Sequence, residues 1–222
     1  MNENILVIAA HPDDEVLGCG GALINHKKKK DNITVIILSD GESSRNQKNL
    51  QLKINNRKNN AIKVSKIIGY KNLFTYNYPD NQMDNVTFLD IVQTLEEKIN
   101  YIKPNKIYTH YPYDLNIDHQ ITSKAVTTAT RPLSKHNVQE ILFFEIPSST
   151  EWAYKAFKPN LFINIEKNIE KKMKLLNIYK NEMRNVPHPR SLKNIKNLAM
   201  IRGSQSGLKY AEAFKIYRKI LK

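Results

Sequence analysis

The alternation of short β-branched runs with segments of helical spacing is the feature that most limits what this chain can fold into. Runs at Ile5–Ala10, Ile33–Ser39, Leu73–Tyr78, Lys106–Tyr111, Glu140–Ile146 and Leu161–Ile165 have the length and residue types of strands. Between them, Leu50, Ile54, Arg57, Ala61, Val64 and Ile68 recur at three and four residues, and Gly69 follows where a helix would close. Ile91, Leu95, Ile99 and Ile102 repeat the pattern up to Pro104, and Ile121, Ala125 and Ala129 do so up to Pro132. Strand and helix in this order predict an α/β fold with an open, mostly parallel sheet and helices on both faces. From about Asn168 the spacing predicts a helical C-terminal layer of three stripes: Ile169, Met173, Leu176 and Met183; Leu192, Ile195 and Leu198; Tyr210, Phe214, Tyr217 and Leu221. No linker, repeat or shift in composition divides residues 1–222, so one domain is expected.

Charge enters because it bears on partners. Lys and Arg number 35 against 21 Asp and Glu, a formal +14 that would draw in anionic molecules. The joint richness in Lys, Asn and Ile reads as a compositional bias more than a selected surface, so no specific nucleic-acid partner is expected. The run Lys27–Lys30 falls where a helix should end, a place that suits cations. One cysteine, Cys19, excludes an internal disulfide and fits a reducing compartment. The start MNENILVI lacks the pattern of a secretory signal, and Ile5–Ala10 is too short to span a bilayer. A cytoplasmic protein without a transmembrane segment is the expectation; the oligomeric state is left open, a homo-oligomer included.

Two loops carry the chemistry. In "AAHPDDEVLGCGG" the first strand gives way to His11, Pro12, Asp13, Asp14 and Glu15. His11 and Asp14 are close enough for an imidazole nitrogen and a carboxylate oxygen to reach one metal. The competing reading is that the three acids only favour the start of the following helix. The second loop, "THYPYDLNIDHQ", again follows a strand and offers Asp114, Asp118 and His119. In a Rossmann-like sheet, ligands sit beyond the carboxyl ends of the strands where the winding reverses. Should the first and fourth strands meet there, two loops about a hundred residues apart in sequence would face one crevice. Two histidines, one carboxylate and an open position form the ligand set of a catalytic zinc site.

The first motif resembles the N-terminal signature of the LmbE-like, or PIG-L, zinc deacetylases. "LSDGESSR", Arg57 with Gly69, "YNYPD", "DLNIDH", "PHPRS" and "IRGSQSGLKYAEAF" extend the resemblance over nearly the whole chain. It implies a zinc-dependent deacetylase that removes acetyl from an N-acetylated amino sugar, a conjugate of N-acetylglucosamine type that is lipid- or nucleotide-linked or a secondary metabolite, anionic partners included. It implies His11, Asp14 and His119 as metal ligands and Asp13 as the general base that takes a proton from zinc-activated water. Other divalent transition metals suit such a site as well. Arg57 resembles the family's substrate-side arginine, and Asp118 would orient a ligand.

One departure matters. Where many members carry a histidine two residues before the Asp-His pair, this chain has Asn116, which can donate a hydrogen bond but supplies no proton at neutral pH. Either Asn116 only holds the oxyanion, or another group, His188 or Asp13 itself, protonates the leaving amine. His110 reads as core or as support for a ligand, and Asp80, Glu42 and Arg45 as candidates for the crevice rim. Gly18, Gly20 and Gly21 suggest close packing of the first helix rather than dinucleotide binding, because carboxylates crowd the loop ahead of them. Cys19 reads as a buried small side chain. The alternatives are a metal amidohydrolase for another N-acyl group and a non-catalytic basic module binding phosphate or nucleic acid.

Overall fold

The computed structural model of the chain describes residues 2–46 and 48–221. Its strands are β1 (Asn4–Ala9), β2 (Asn32–Ser39), β3 (Asn72–Tyr78), β4 (Lys106–His110), β5 (Glu140–Phe144), β6 (Leu161–Asn164) and β7 (Ala211–Lys219). The helices are α1 (Asp14–Lys28), α2 (Leu50–Ile68), α3 (Phe88–Ile102), α4 (Ile117–Ala129), α5 (Ile169–Ile178) and α6 (Leu192–Ser204). One sheet holds the strands in the order β3-β2-β1-β4-β5-β7-β6. β1 to β5 run parallel, and β7 pairs antiparallel with both β5 and β6. The winding reverses between β1 and β4, so the loops after these strands open into one crevice.

Strand periodicity explains the layers. Along β1, Ile5 and Val7 join a cluster with α1, α2 and α5, while Leu6 and Ile8 join the opposite cluster with α3 and α4. A strand covered on both faces has no polar position to spare, hence the unbroken apolar run. α1 lies close to the sheet because Gly18 leaves room for Phe144: a Cβ there would overlap the aromatic ring.

Helix α1 is broken at Cys19, whose φ and ψ are −145° and 19°. The break frees backbone groups that the ladder would have paired, and two buried side chains take them. Glu212 of β7 accepts from the N–H groups of Gly21 and Ala22 at 2.7 and 2.8 Å. Lys172 of α5 donates to the Leu17 carbonyl at 2.8 Å and to Glu212 at 2.7 Å. An ion pair thus closes a gap in a helix, and it holds the first turn of α1 where the crevice needs it.

The C-terminal layer differs from the periodicity reading. α5 stops at Ile178, short of Met183, and Tyr210, Phe214 and Tyr217 fall at or within a strand instead of a third helix. The reason is tertiary: β7 is wedged between β5 and β6, and Phe214 and Ile216 fill the α1 side while Tyr217 faces out, half exposed. Apolar residues four apart satisfy a two-residue period as well as a helical one, so spacing alone does not separate them.

At the opposite end of the sheet, His26 bonds Asp31 at 2.7 Å and the Tyr108 hydroxyl at 2.9 Å. Burial pushes its pKa down, against the pull of Asp31 and with help from Lys106. The unfolded chain therefore takes up this proton first, at about pH 6.5. The contribution to stability is complete above that pH and shrinks as the pH falls through it. Melting curves at about pH 7.5 and about pH 5.5 should show this loss, and His26→Gln should diminish it. An unchanged difference in the variant would assign the loss elsewhere.

Candidate metal centre and active site

After β1 the backbone turns through His11 and Pro12 to Asp13, which sits at φ 117°, a region side-chain-bearing residues seldom adopt. Asp13 occupies the N-cap position of α1, yet its carboxylate makes no capping bond. Its carbonyl accepts from Val16 and Leu17 at 3.0 and 2.9 Å, and Glu15 accepts from its N–H at 3.0 Å. The buried carboxylate turns instead between two guanidiniums, Arg57 Nη2 at 3.1 Å and Arg190 Nη1 at 3.3 Å. Helix capping therefore does not account for Asp13; the unusual backbone turns its carboxylate off its own helix and onto Arg57 and Arg190. Burial raises its pKa above the ordinary range against the opposing pull of Arg57 and Arg190, which favours proton acceptance.

Beside it, His11, Asp14 and His119 present ligand atoms that all lie within 4.8 Å of one another. His11 Nδ1 and His119 Nε2 are each 3.3 Å from Asp14 Oδ2. Asp14 Oδ1 and His119 Nε2 are buried with no hydrogen-bond partner among the described residues. Orphaned buried groups of this kind are costly, and a divalent cation would satisfy both. The donor set, two imidazoles and one carboxylate, fits zinc with a position left open. Two loops a hundred residues apart have met at the switch point.

The far side of each imidazole is braced. His11 Nε2 lies 3.0 Å from Asp118 Oδ2 and 3.1 Å from Asp80 Oδ1; His119 Nδ1 lies 3.0 Å from Asp114 Oδ1. Asp118 also accepts from the N–H groups of Asn81 and Met83, and Asp114 from the hydroxyls of Ser149 and Thr150. Such carboxylates fix which nitrogen of each histidine faces the ion. Burial opposes a charge on His119, but Asp14 and Asp114 overcome it and draw its pKa up to about 9; an arriving cation would displace that proton. His11, Asp80 and Asp118 also have ligand spacing, as do Glu3, His26 and Asp31. In the first group the carboxylates are engaged by backbone and by Ser44, and in the second both His26 nitrogens are bonded. His110 accepts from the Ala10 N–H at 2.9 Å and stacks on His119 at 3.9 Å, as a strand-end core residue would.

Arg57 is buried and turned onto protein groups: Pro12 and Gly41 carbonyls, Asp13, Glu42 and Glu182. Gly41, at φ +73°, gives it room, since a Cβ would stand 2.6 Å from Nη1. Asn116 caps α4, its side-chain oxygen accepting from Asp118 and His119 at 2.9 and 3.3 Å, and it donates to Asn81 at 2.7 Å. His188 packs edge-on to Trp152 and accepts from the Arg190 N–H at 3.0 Å. The side chain from "PHPRS" that contacts Asp13 is Arg190, not His188. Sequence reasoning also passed over Asp114 as a brace, though it lay in the second cluster, and Glu182, which no local pattern marks. Arg45 pairs with Glu182 at 2.8 Å. Cys19 is buried.

The fold and this geometry define a class: an α/β protein with a candidate divalent-metal site at the switch point of its sheet and an aimed carboxylate beside it. A family profile described as "PIG-L: GlcNAc-PI de-N-acetylase" matches residues 6–130, and the chain belongs to that family. It is 27% identical over 169 residues to an Escherichia coli (strain K12) protein named "Uncharacterized deacetylase YaiS", a match spanning 74% of this chain and 83% of the relative. Its fold is that of an N,N'-diacetylchitobiose deacetylase from Pyrococcus horikoshii, with TM-score 0.80 at 18% identity over 96% of this chain and 82% of the other. It is equally that of GalB, a 4-carboxy-2-hydroxymuconate hydratase from Pseudomonas putida KT2440, with TM-score 0.81 at 20% identity over 100% and 98%. These two likenesses speak to fold alone. No helix among the described residues is long and apolar enough to cross a membrane.

Proposed function

We propose that this protein is a metal-dependent N-deacetylase of an N-acetylated amino-sugar conjugate, with His11, Asp14 and His119 as ligands and Asp13 as general base. The observation that carries the reading is the pair of orphaned buried atoms, Asp14 Oδ1 and His119 Nε2, beside a carboxylate held on strained backbone. His11, Asp14 and His119 would hold a divalent ion, zinc by its donor set, which when bound would supply an acidified water and polarise the amide carbonyl. The chain supplies the rest. Asp13, buried and basic, accepts the proton of the attacking water. Arg57 fixes one carboxylate oxygen, leaving the other toward Arg190, whose side chain is less enclosed. Because the Asn116 amide is engaged in capping and His188 contacts Trp152 and Arg190, the reading gives Asp13 the second transfer as well, from carboxyl to leaving amine. The substrate class follows the family's description.

Protein purified without chelator should contain about one zinc per chain, and His119→Ala should lose it. Against a panel of N-acetylglucosamine conjugates the metal-loaded enzyme should release acetate. Equal or better turnover of N-formyl or longer N-acyl analogues would assign the other acyl class. A metal-free protein whose binding of anions weakens steeply with salt would make it a phosphate or nucleic-acid module instead.

A further inference from the structure

A second feature of the molecule is left unused by this chemistry. Beside the second crevice loop, on the face of the sheet that α3 and α4 leave uncovered beyond β5, lies a cleft of about 750 Å³, within the range of small-molecule sites. Its walls are Tyr111, Tyr113, Tyr154 and Tyr217, and its charged lining is Lys155, Lys158 and Lys215, with no carboxylate among the lining residues. Among the described residues none of these lysines forms an ion pair, and Lys155 Nζ stands 3.7 Å from the centre of the Tyr113 ring. The Tyr111 hydroxyl donates to the Ala156 carbonyl at 3.3 Å, which ties the two lips of the cleft together. Tyr111 and Tyr113 belong to the loop that delivers Asp114 to His119, so cleft and metal centre share one segment.

From this we infer that the cleft between Tyr113, Tyr154 and Tyr217, with Lys155, Lys158 and Lys215, binds the nucleoside diphosphate end of a nucleotide-linked amino sugar. The inference rests on the deacetylase reading for the fate of the sugar, but not for the binding itself. Flat aromatic faces stack on a base whatever its edge pattern. Ammonium groups are point-charge partners for phosphate, and three of them without neutralising acids match a diphosphate's charge. A neutral glycan or an apolar chain would leave three ammonium groups in the lining without a counter-charge, which a diphosphate supplies.

Calorimetry of the full-length, metal-loaded protein with UDP, uridine and inorganic pyrophosphate tests it, repeated after chelation so that phosphate contact with the ion is not counted. UDP should bind more tightly than either fragment under both conditions, and the binding should weaken with salt. Lys155→Gln and Lys158→Gln, both exposed, should each weaken it by about tenfold. Tyr154→Ala should bring UDP towards pyrophosphate. Asp13→Asn should bind UDP like the parent, because it lies outside the cleft; its effect belongs to the deacetylase reading. UDP no tighter than pyrophosphate, or lysine variants that bind like the parent, would overturn the inference while leaving acetate release untouched. Absence of acetate release with intact UDP binding would instead remove the deacetylase and keep the cleft.

Discussion

Asp13→Asn is expected to lower deacetylation of an N-acetylglucosamine conjugate by about a hundredfold or more, with the protein folded and its metal bound. The substitution keeps shape and volume and removes the ability to take a proton, together with the charge that Arg57 and Arg190 meet. Asparagine tolerates positive φ as well as aspartate does, so the unusual backbone at 117° is preserved. Arg57 keeps Glu42 and Glu182 as neighbours at 3.5 Å, which limits the loss from the missing ion pair. The fall should appear in kcat with little change in KM, since the carboxylate acts on the proton in flight and not on the resting substrate. Near-parental kcat in a variant that still carries one metal per chain would transfer the base role to another group.

Lys172→Met should cost about 3–5 kcal/mol, a large share of the stability of any domain this size. The substitution leaves Glu212 charged, buried and short of a partner, and it strips the Leu17 carbonyl of its donor at the break in α1. Urea denaturation reads the loss directly. Adding Glu212→Gln to that variant should recover part of it, because the stranded charge goes and an amide can still accept from the helix. A single variant that unfolds at the parental midpoint would show that the ion pair does not close the break. The two experiments address different levels: Asp13 concerns chemistry on a held framework, Lys172 the holding of that framework.

How far the site was legible follows from locality. His11, Asp13 and Asp14 are close neighbours in the chain, and the loop they occupy follows a strand whose apolar run is unmistakable. Their proximity needs no tertiary information. His119 needed the further argument that β1 and β4 adjoin at the switch point, and the parallel order of the sheet supplies it. Arg190 and Glu182 were not legible, because each meets Asp13 or Arg57 only through the path of the chain after α5. Arg57 and Asn116 were seen as site residues, but their partners were not: one is turned onto Asp13 and the surrounding loop, and the other caps the helix that carries His119.

By itself the amino-acid sequence determined the alternating strands and helices, the apolar run of β1 and the adjacency of His11, Asp13 and Asp14, since all of these depend on residues a few positions apart. The last strand, the closure of α1 by Lys172 and Glu212, and the turning of the Asp13 carboxylate away from its own helix were decided only in three dimensions. A four-residue spacing suits helix and strand alike, and a buried charge is tolerable only where another part of the chain arrives to meet it. Both are settled by packing, and packing is a property of the whole fold.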